Sequence, residues 1–309
     1  DDRHDTTVAE IVARTAPDSE LYLASVGDAP TAGRYADAID WLVENDVDVV
    51  VDAGSYFPVA NGRTSRITAA AERASERGVV FVTSAGNYAN RHWTGESDGD
   101  GWVEFPGDSQ GNGLAGGNVT SGRVTLRLTW DGDGDYDLYL YRLSNGGERV
   151  VAESVRRQSD NDSLPSSESI DVAVPEGRYY VSVYAHEDDG NGTGVRLFSA
   201  RQTLQYATPE GSVAAPATSE NVISVGAYDS ATGAIRSYSS RAGGSGRVDI
   251  DAPDGYKTAV LGDFRGTSAA APYVAGTAAL MESNGGDLSP AETEQILERT
   301  ADGDGEVQR

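Results

Sequence analysis

Residues 266–276 read Gly-Thr-Ser-Ala-Ala-Ala-Pro-Tyr-Val-Ala-Gly, a tight Gly-Thr-Ser turn running straight into a helix built of small residues. Gly266 lets another segment approach the backbone closely. Ser268 then falls at the helix N-terminus, where free N–H groups and the positive end of the dipole favour a developing anion. Pro272 sits in the first turn or so, where a missing N–H costs least. Ala270, Ala271, Ala275, Ala278 and Ala279 suit a helix packed tightly inside a core. The plain reading is a buried alanine-rich helix with an ordinary serine near its start. An acyl-transfer reading needs partners elsewhere in the chain.

Upstream, strand and helix patterns alternate with short connections. Residues 6–16 carry Val8, Ile11 and Val12 on one helical face, so a helix is expected to begin just after His4. Residues 20–26 (Glu-Leu-Tyr-Leu-Ala-Ser-Val) are expected as a strand, and residues 34–45 as a helix with Tyr35, Ala38, Ile39 and Leu42 inward. Residues 47–52 and 79–84 are β-branched, nearly uninterrupted apolar runs, as in a parallel sheet covered on both faces. Between them, residues 64–77 read as a helix ended by Gly78. The same signal returns in strands at 221–228 and 247–251, before the Ser268 helix. A last helix starts at Ser289-Pro290-Ala291-Glu292, a capping box with Pro at N1, and runs to about Arg299. The implied fold is α/β, a doubly wound and mostly parallel sheet.

That sheet is interrupted. From about Trp93 to Tyr206 helical periodicity fades and period-two alternation takes over: residues 123–130, 137–141, 170–174, 179–184 and 195–204. Short strands parted by Gly, Asp, Asn and Pro read as an all-β sandwich or jelly-roll-like insertion. The expected division is 1–93 and 208–309 for the α/β domain, and 94–207 for the insertion.

Composition bounds the chemistry. The chain has 309 residues, a formal net charge of −25 and no cysteine, and Lys257 is its only lysine. Disulfides, thiolate nucleophiles and Cys-based metal sites are excluded. So acidic a surface repels nucleic acid and anionic membranes. A salt-rich setting, where high ionic strength screens self-repulsion, suits it better than a merely acidic secreted protein. No apolar run approaches a membrane-spanning length. The chain opens on Asp1-Asp2-Arg3-His4 without Met, and it is expected to be cut at both ends, leaving a missing signal segment uninformative.

A serine nucleophile needs a base within reach and donors aimed at the oxyanion. The chain has three histidines. His186 lies in an acidic loop (Ala185-His186-Glu187-Asp188-Asp189) and reads as a solvated surface residue. His92, in Asn90-Arg91-His92-Trp93, is a weak candidate. His4 opens a helix, and beside the Ser268 segment it becomes the base candidate. Ser84-Ala85-Gly86-Asn87 ends a buried strand at the carboxyl edge, where α/β sheets place ligands. There Asn87 serves either as a turn residue or as an NH2 donor.

The order and surroundings of His4, Asn87 and Ser268 resemble the subtilisin-like (subtilase) serine proteases. So do Ser237-Tyr238-Ser239-Ser240-Arg241 and Asp249-Ile250-Asp251-Ala252-Pro253-Asp254-Gly255. The resemblance covers roughly residues 1–93 and 208–299. It implies peptide-bond hydrolysis with Ser268 as nucleophile, His4 as general base and acid, and Asn87 with the Ser268 N–H as oxyanion donors. It implies no cofactor for the chemistry, polypeptide substrates, and an extracellular or cell-surface location. The inserted module is similar to small β-domains of secreted microbial peptidases, which suggests a cell-surface polymer as its partner. The Lys-poor composition resembles the halolysin-like group of halophilic archaea.

Three departures matter. His4-Asp5-Thr6 stands where the family reads His-Gly-Thr, so Asp5 adds a charge that either raises the His4 pKa or orients its ring. Tyr273 follows Pro272 where His is common, a change expected to affect packing more than chemistry. Val51–Tyr56 occupies the place of the substrate strand but matches it poorly. Substrate contacts are therefore expected from Gly54, Ser55, Ser84, Gly86 and Thr267. The orienting carboxylate is expected on a strand well upstream of the base, and Asp1 and Asp2 lie too close to His4 to supply it. A Ser–His dyad is thus expected for the chain as it stands. The alternative is an impaired pseudopeptidase, or a binding protein whose β-sandwich recognises a surface polymer or protein. Finally, Asp131, Asp133, Asp135 and Asp137 alternate on a Gly-rich loop, either as oxygen ligands for a structural Ca2+ or as a solvated hairpin turn.

Overall fold

The computed structural model describes residues 2–27, 31–57, 65–97, 99–132, 134–157, 166–187, 192–243, 246–285 and 288–301. They fall into two compact units. One draws on Asp1–Tyr56, Thr64–Asn87 and Glu210–Arg309, the other on Phe57–Arg63 and Tyr88–Pro209.

The first unit opens with α1 (Asp2–Thr15), which begins before His4 and not after it, so His4 lies within the first helical turn. An acidic residue, Asp5, in that turn suits the positive helix end. Val8, Ile11 and Val12 are buried, as their spacing implies. The strand expected at 20–26 does not form. Among the described residues nothing pairs with this stretch, and Leu23 is 74% exposed. An apolar run without a ladder partner stays irregular however high its β-propensity. Next come α2 (Ala32–Glu44), capped by the Thr31 hydroxyl, and β1 (Val49–Asp52). Then α3 (Arg66–Glu76), capped by Ser65, leads through Gly78 at φ +91° into the fully buried β2 (Val80–Ser84).

The second unit is antiparallel β. Its strands are β3 (His92–Ser97), β4 (Gly101–Trp102), β5 (Asn112–Gly113), β6 (Val119–Trp130), β7 (Asp135–Ser144), β8 (Gly147–Ser154), β9 (Ser167–Glu187) and β10 (Thr193–Ser199). The ladder runs β3-β10-β6-β9-β7-β8, with β4 and β5 also on β9. Hydrogen bonding therefore joins these strands into one sheet, where the sequence suggested a sandwich of two. The two strands expected around Pro175-Glu176-Gly177 are a single strand of 21 residues, β9. Its first half pairs with β6 and its second with β7. A bulge in β9 sets Pro175 and Glu176 opposite the single residue Ser121 of β6 and lets the ladder pass a residue with no N–H to give. Leu126, Leu128, Trp130, Leu138, Val181 and Leu197 fill the core beneath it. The ends of the unit are tied together: Leu204 N–H donates to Asn90 O (2.9 Å) and Thr208 N–H to His92 O (2.8 Å).

The chain then returns to the first unit with β11 (Ile223–Asp229), β12 (Ile250–Asp254), β13 (Tyr256–Thr258), β14 (Gly262–Phe264), α4 (Thr267–Ser283) and α5 (Pro290–Thr300). The order β1-β2-β11-β12 is parallel throughout. Alternate residues of β2 serve opposite faces. Val80 and Val82 pack with α4 and Leu297 of α5, whereas Phe81 packs with α2 and α3. Burial on both faces explains the unbroken apolar strands, as expected. Strand β12 starts three residues later than its sequence suggested, because Asp249 ahead of it accepts the Ser224 N–H through its side chain (2.7 Å). The Ser289–Glu292 capping box forms as read.

Candidate active site

The small residues of α4 are there because other chain segments press against them. Gly276 is the clearest case: a Cβ on it would lie 2.6 Å from Cβ of Thr15, so the Thr15 side chain of α1 rests on the backbone of α4. Nearer the start of α4, Val8 and Ile11 of α1 pack on Ala269 and Phe264. The two helices thus run side by side with their N-termini at the same end. That packing carries His4 toward Ser268, and the His4 ring meets Phe264 edge-on at 5.4 Å.

The turn before α4 is held from two sides. Gly266 adopts φ +118°, a conformation open to glycine, and a Cβ there would stand 3.2 Å from Asn87 Nδ2. Its N–H donates to Asp254 Oδ2 (3.0 Å), and Asp254 is buried. Asp254 in turn accepts from Arg236 Nε (2.6 Å) and from the Tyr238 hydroxyl. On the other side Thr267 N–H donates to Asn87 Oδ1 (3.1 Å). Gly266 caps the helix without a side-chain bond, and no described residue accepts the Ser268 N–H. The helix therefore presents an N–H at its positive end beside an asparagine whose Oδ1 is already committed, leaving its NH2 as the donor.

Ser268 is half-buried, and its Oγ donates to Ala53 O (2.7 Å), not to His4. The His4 Nδ1 lies 3.1 Å from Asp5 Oδ1 instead. Asp5 is itself exposed, and an exposed ion pair contributes little to stability.

A second carboxyl was not singled out from sequence. Asp52, at the end of β1, is half-buried and accepts from the Tyr35 hydroxyl (2.8 Å) and the Gly54 N–H (2.8 Å). Burial pushes its pKa up. The Tyr35 and Gly54 hydrogen bonds oppose the rise, and so does nearby His4, while Asp5 adds to it. Asp52 thus lies within electrostatic reach of His4 and directly precedes the carbonyl that holds Ser268. The signal for it was a lone Asp closing an apolar strand at the carboxyl edge.

The expected substrate contacts are partly internal. Ser84 Oγ donates to Gly54 O (2.6 Å) and lies 3.1 Å from Ser55 Oγ, with Ser84 wholly buried. Gly54 is also confined, since a Cβ there would stand 2.8 Å from Asp52 Oδ1. Gly86 has φ +106°, and its carbonyl takes the Ser240 N–H (2.9 Å). Thr267 is buried against Asn87. Tyr273 stacks on Tyr256 (6.1 Å), a packing role.

The other sequence candidates lie in the β-unit. His92 is fully buried against Phe198 (4.5 Å), with Nδ1 2.7 Å from Thr208 O. His186 is exposed and pairs with Asp137 (2.7 Å). Asp131 forms a two-pronged pair with Arg196, and Asp137 also takes the Tyr139 hydroxyl (2.7 Å). Asp135 is buried, and Asp133 lies outside the described residues. Among the described residues the close carboxylate group is elsewhere, at Asp249, Glu294 and Glu298. Arg247 bridges Asp249 and Glu294 there.

The subtilase family profile matches residues 2–186 and 129–309. The chain belongs to the subtilase family. Among solved structures it is similar to the Clostridium perfringens CspB protease, with a TM-score of 0.59 and 17% identity over 83% of this chain. The subtilase chain spans about 60% of that protein's length. It also matches a lanthipeptide protease at 16% identity, covering 99% of this chain and 71% of the other, with a TM-score of 0.49. A cold-adapted subtilisin-like serine proteinase matches at 16% identity and TM-score 0.43, over 91% of this chain and 59% of that one. No curated protein matches this subtilase.

Proposed function

We propose that the chain carries a serine endopeptidase site in which Ser268 is acylated, His4 moves the proton, and Asn87 with the Ser268 N–H holds the oxyanion. The observation that carries this reading is the Asn87–Thr267 hydrogen bond at the N-terminus of α4. It fixes an amide donor beside a serine at the positive end of a helix, the arrangement a tetrahedral intermediate needs. In this reading Ser268 Oγ gives up its bond to Ala53 O to engage the His4 ring, whose Nδ1 lies 3.1 Å from Asp5 Oδ1. Gly54 and Ser55 line the path of an extended substrate backbone. The chemistry uses no metal, and the bonds of Asp131 and Asp137 favour the hairpin reading of residues 131–137 over a Ca2+ loop. The net charge of −25 fits a salt-rich extracellular setting.

The test is fluorophosphonate labelling of the chain in high salt, followed by intact mass. One adduct that disappears in Ser268→Ala and is slowed in His4→Ala supports the site. A chain that takes no Ser268-dependent adduct is a binding protein on a subtilase scaffold, and the proposal fails.

A further inference from the structure

The β-unit bears a surface that acyl transfer does not use. Along β7, Tyr136, Leu138 and Leu140 are buried, and alternation turns Tyr139 and Tyr141 to the opposite face. Register places Tyr141 opposite Tyr180 of β9, and Trp102 of β4 opposite Tyr184. These rings touch in sequence. Trp102 meets Tyr184 at 5.0 Å and Tyr139 at 5.6 Å, and Tyr141 stacks on Tyr180 at 5.0 Å, 2° from parallel. Trp102 is 37% exposed. Two features hold the tyrosines in place. The Tyr139 hydroxyl donates to Asp137, and Gly111 leaves room for Tyr180, whose ring would lie 2.5 Å from a Cβ there. A continuous, partly exposed aromatic strip is uncommon on a surface that binds nothing.

The rim of the strip sets the sign of its partner. Glu153 lies opposite Tyr139 across the β7–β8 ladder, and Glu148 is hydrogen-bonded to Tyr180. Both carboxylates are exposed, and after burial they are the charges that raise the Tyr141 pKa, so both fields reach that ring. Arg142 turns the other way, over the Tyr179 ring. Aromatic faces carry negative quadrupoles, and carboxylates at their edges add to that potential.

We propose that this strip is a docking surface for cationic polypeptide segments, with Arg or Lys side chains laid over Trp102 and Tyr141 and paired at the edge with Glu148 and Glu153. A neutral glycan can stack on the same rings but gains nothing from the carboxylates, and a polyanion is repelled. The inference stands apart from the Ser268 reading, because Ser268→Ala is expected to bind as the unaltered chain does.

The test uses the full chain and a labelled arginine-rich peptide, with anisotropy read across a salt series. A neutral glucan and polyglutamate are the comparison ligands. A net charge of −25 attracts any polycation weakly, so the deciding variants leave charge unchanged. Trp102→Ala and Tyr141→Ala are each expected to weaken peptide binding roughly three- to tenfold. Tyr141→Phe keeps the ring, reports on a preserved fold, and is expected to bind normally. Glu148→Gln with Glu153→Gln should weaken binding and flatten its salt dependence. Undiminished binding in both ring-removal variants assigns the attraction to net charge and overturns the proposal. Tighter binding of the glucan, lost in Trp102→Ala, overturns it in favour of a carbohydrate surface.

Discussion

Gly276→Ala tests whether the crossing of α1 over α4 places the base. The new Cβ would stand 2.6 Å from Thr15 Cβ and 2.8 Å from its Cγ2, where ordinary contact begins at 3.4 Å. Thr15 cannot rotate away cheaply, because its hydroxyl donates to Ile11 O (2.9 Å). Relief therefore needs the helices to part by about 0.8 Å, the difference between those two distances. Overpacking of this kind costs about 1–3 kcal/mol. His4 rides on the same helix, 11 residues or roughly 16 Å from Thr15 at 1.5 Å per residue. A base misplaced by about 1 Å can cost on the order of 100-fold in rate. Denaturant midpoint and fluorophosphonate labelling rate should thus both fall in Gly276→Ala. Adding Thr15→Gly removes both clashing atoms and should restore most of each. The reasoning is refuted if stability falls and labelling does not, or if Thr15→Gly restores neither.

Three further outcomes are expected. Asn87→Leu should slow Ser268 acylation about 100- to 1,000-fold, measured as kcat/KM on a peptide or as labelling rate, with little change in melting temperature. Asp254→Ala strips the buried acceptor from Gly266, Arg236 and Tyr238 and should destabilise the chain by about 3–5 kcal/mol in urea titration. Burial holds the carboxyl pKa values of Asp249 and Glu294 up at about 6 and about 7. The folded state then binds protons more tightly than the unfolded one, so stability falls as pH rises from about 4 to about 7. Asp249→Asn should flatten that part of the Tm-against-pH curve, and an unchanged slope would place the titration elsewhere.

The α/β unit was legible because buried parallel strands leave unbroken apolar runs and helices leave caps. Val80–Ser84 and the Ser289 capping box each mark themselves locally. Residues 20–26 misled because periodicity reports what a segment could bury, not whether a neighbour arrives to pair with it. Pro175 misled in the other direction, since it sits in a bulge of β9 that is held by pairing to β6, some fifty residues away in sequence. In the candidate site, Ser268, Asn87 and His4 stand in short segments of distinctive composition, which is why the sequence singles them out. Asp52, Asp254, Arg236 and Tyr238 act through contacts made by distant strands, so nothing local distinguishes them from other acids and aromatics in an acidic chain.

The clasp at the neck of the β-unit bears on the order in which the chain folds. Asn87 and Ser268 come together only when β2 pairs with β11, and the 122 residues of Tyr88–Pro209 separate those strands. The backbone bonds between Asn90 and Leu204 and between His92 and Thr208 leave only residues 85–92 and 208–222 between the two strands once the β-unit has formed. Closing an unstructured loop of the full length costs about 1.5 kcal/mol more than closing one so shortened. A β-unit that forms early therefore lowers the entropic cost of closing the parallel sheet.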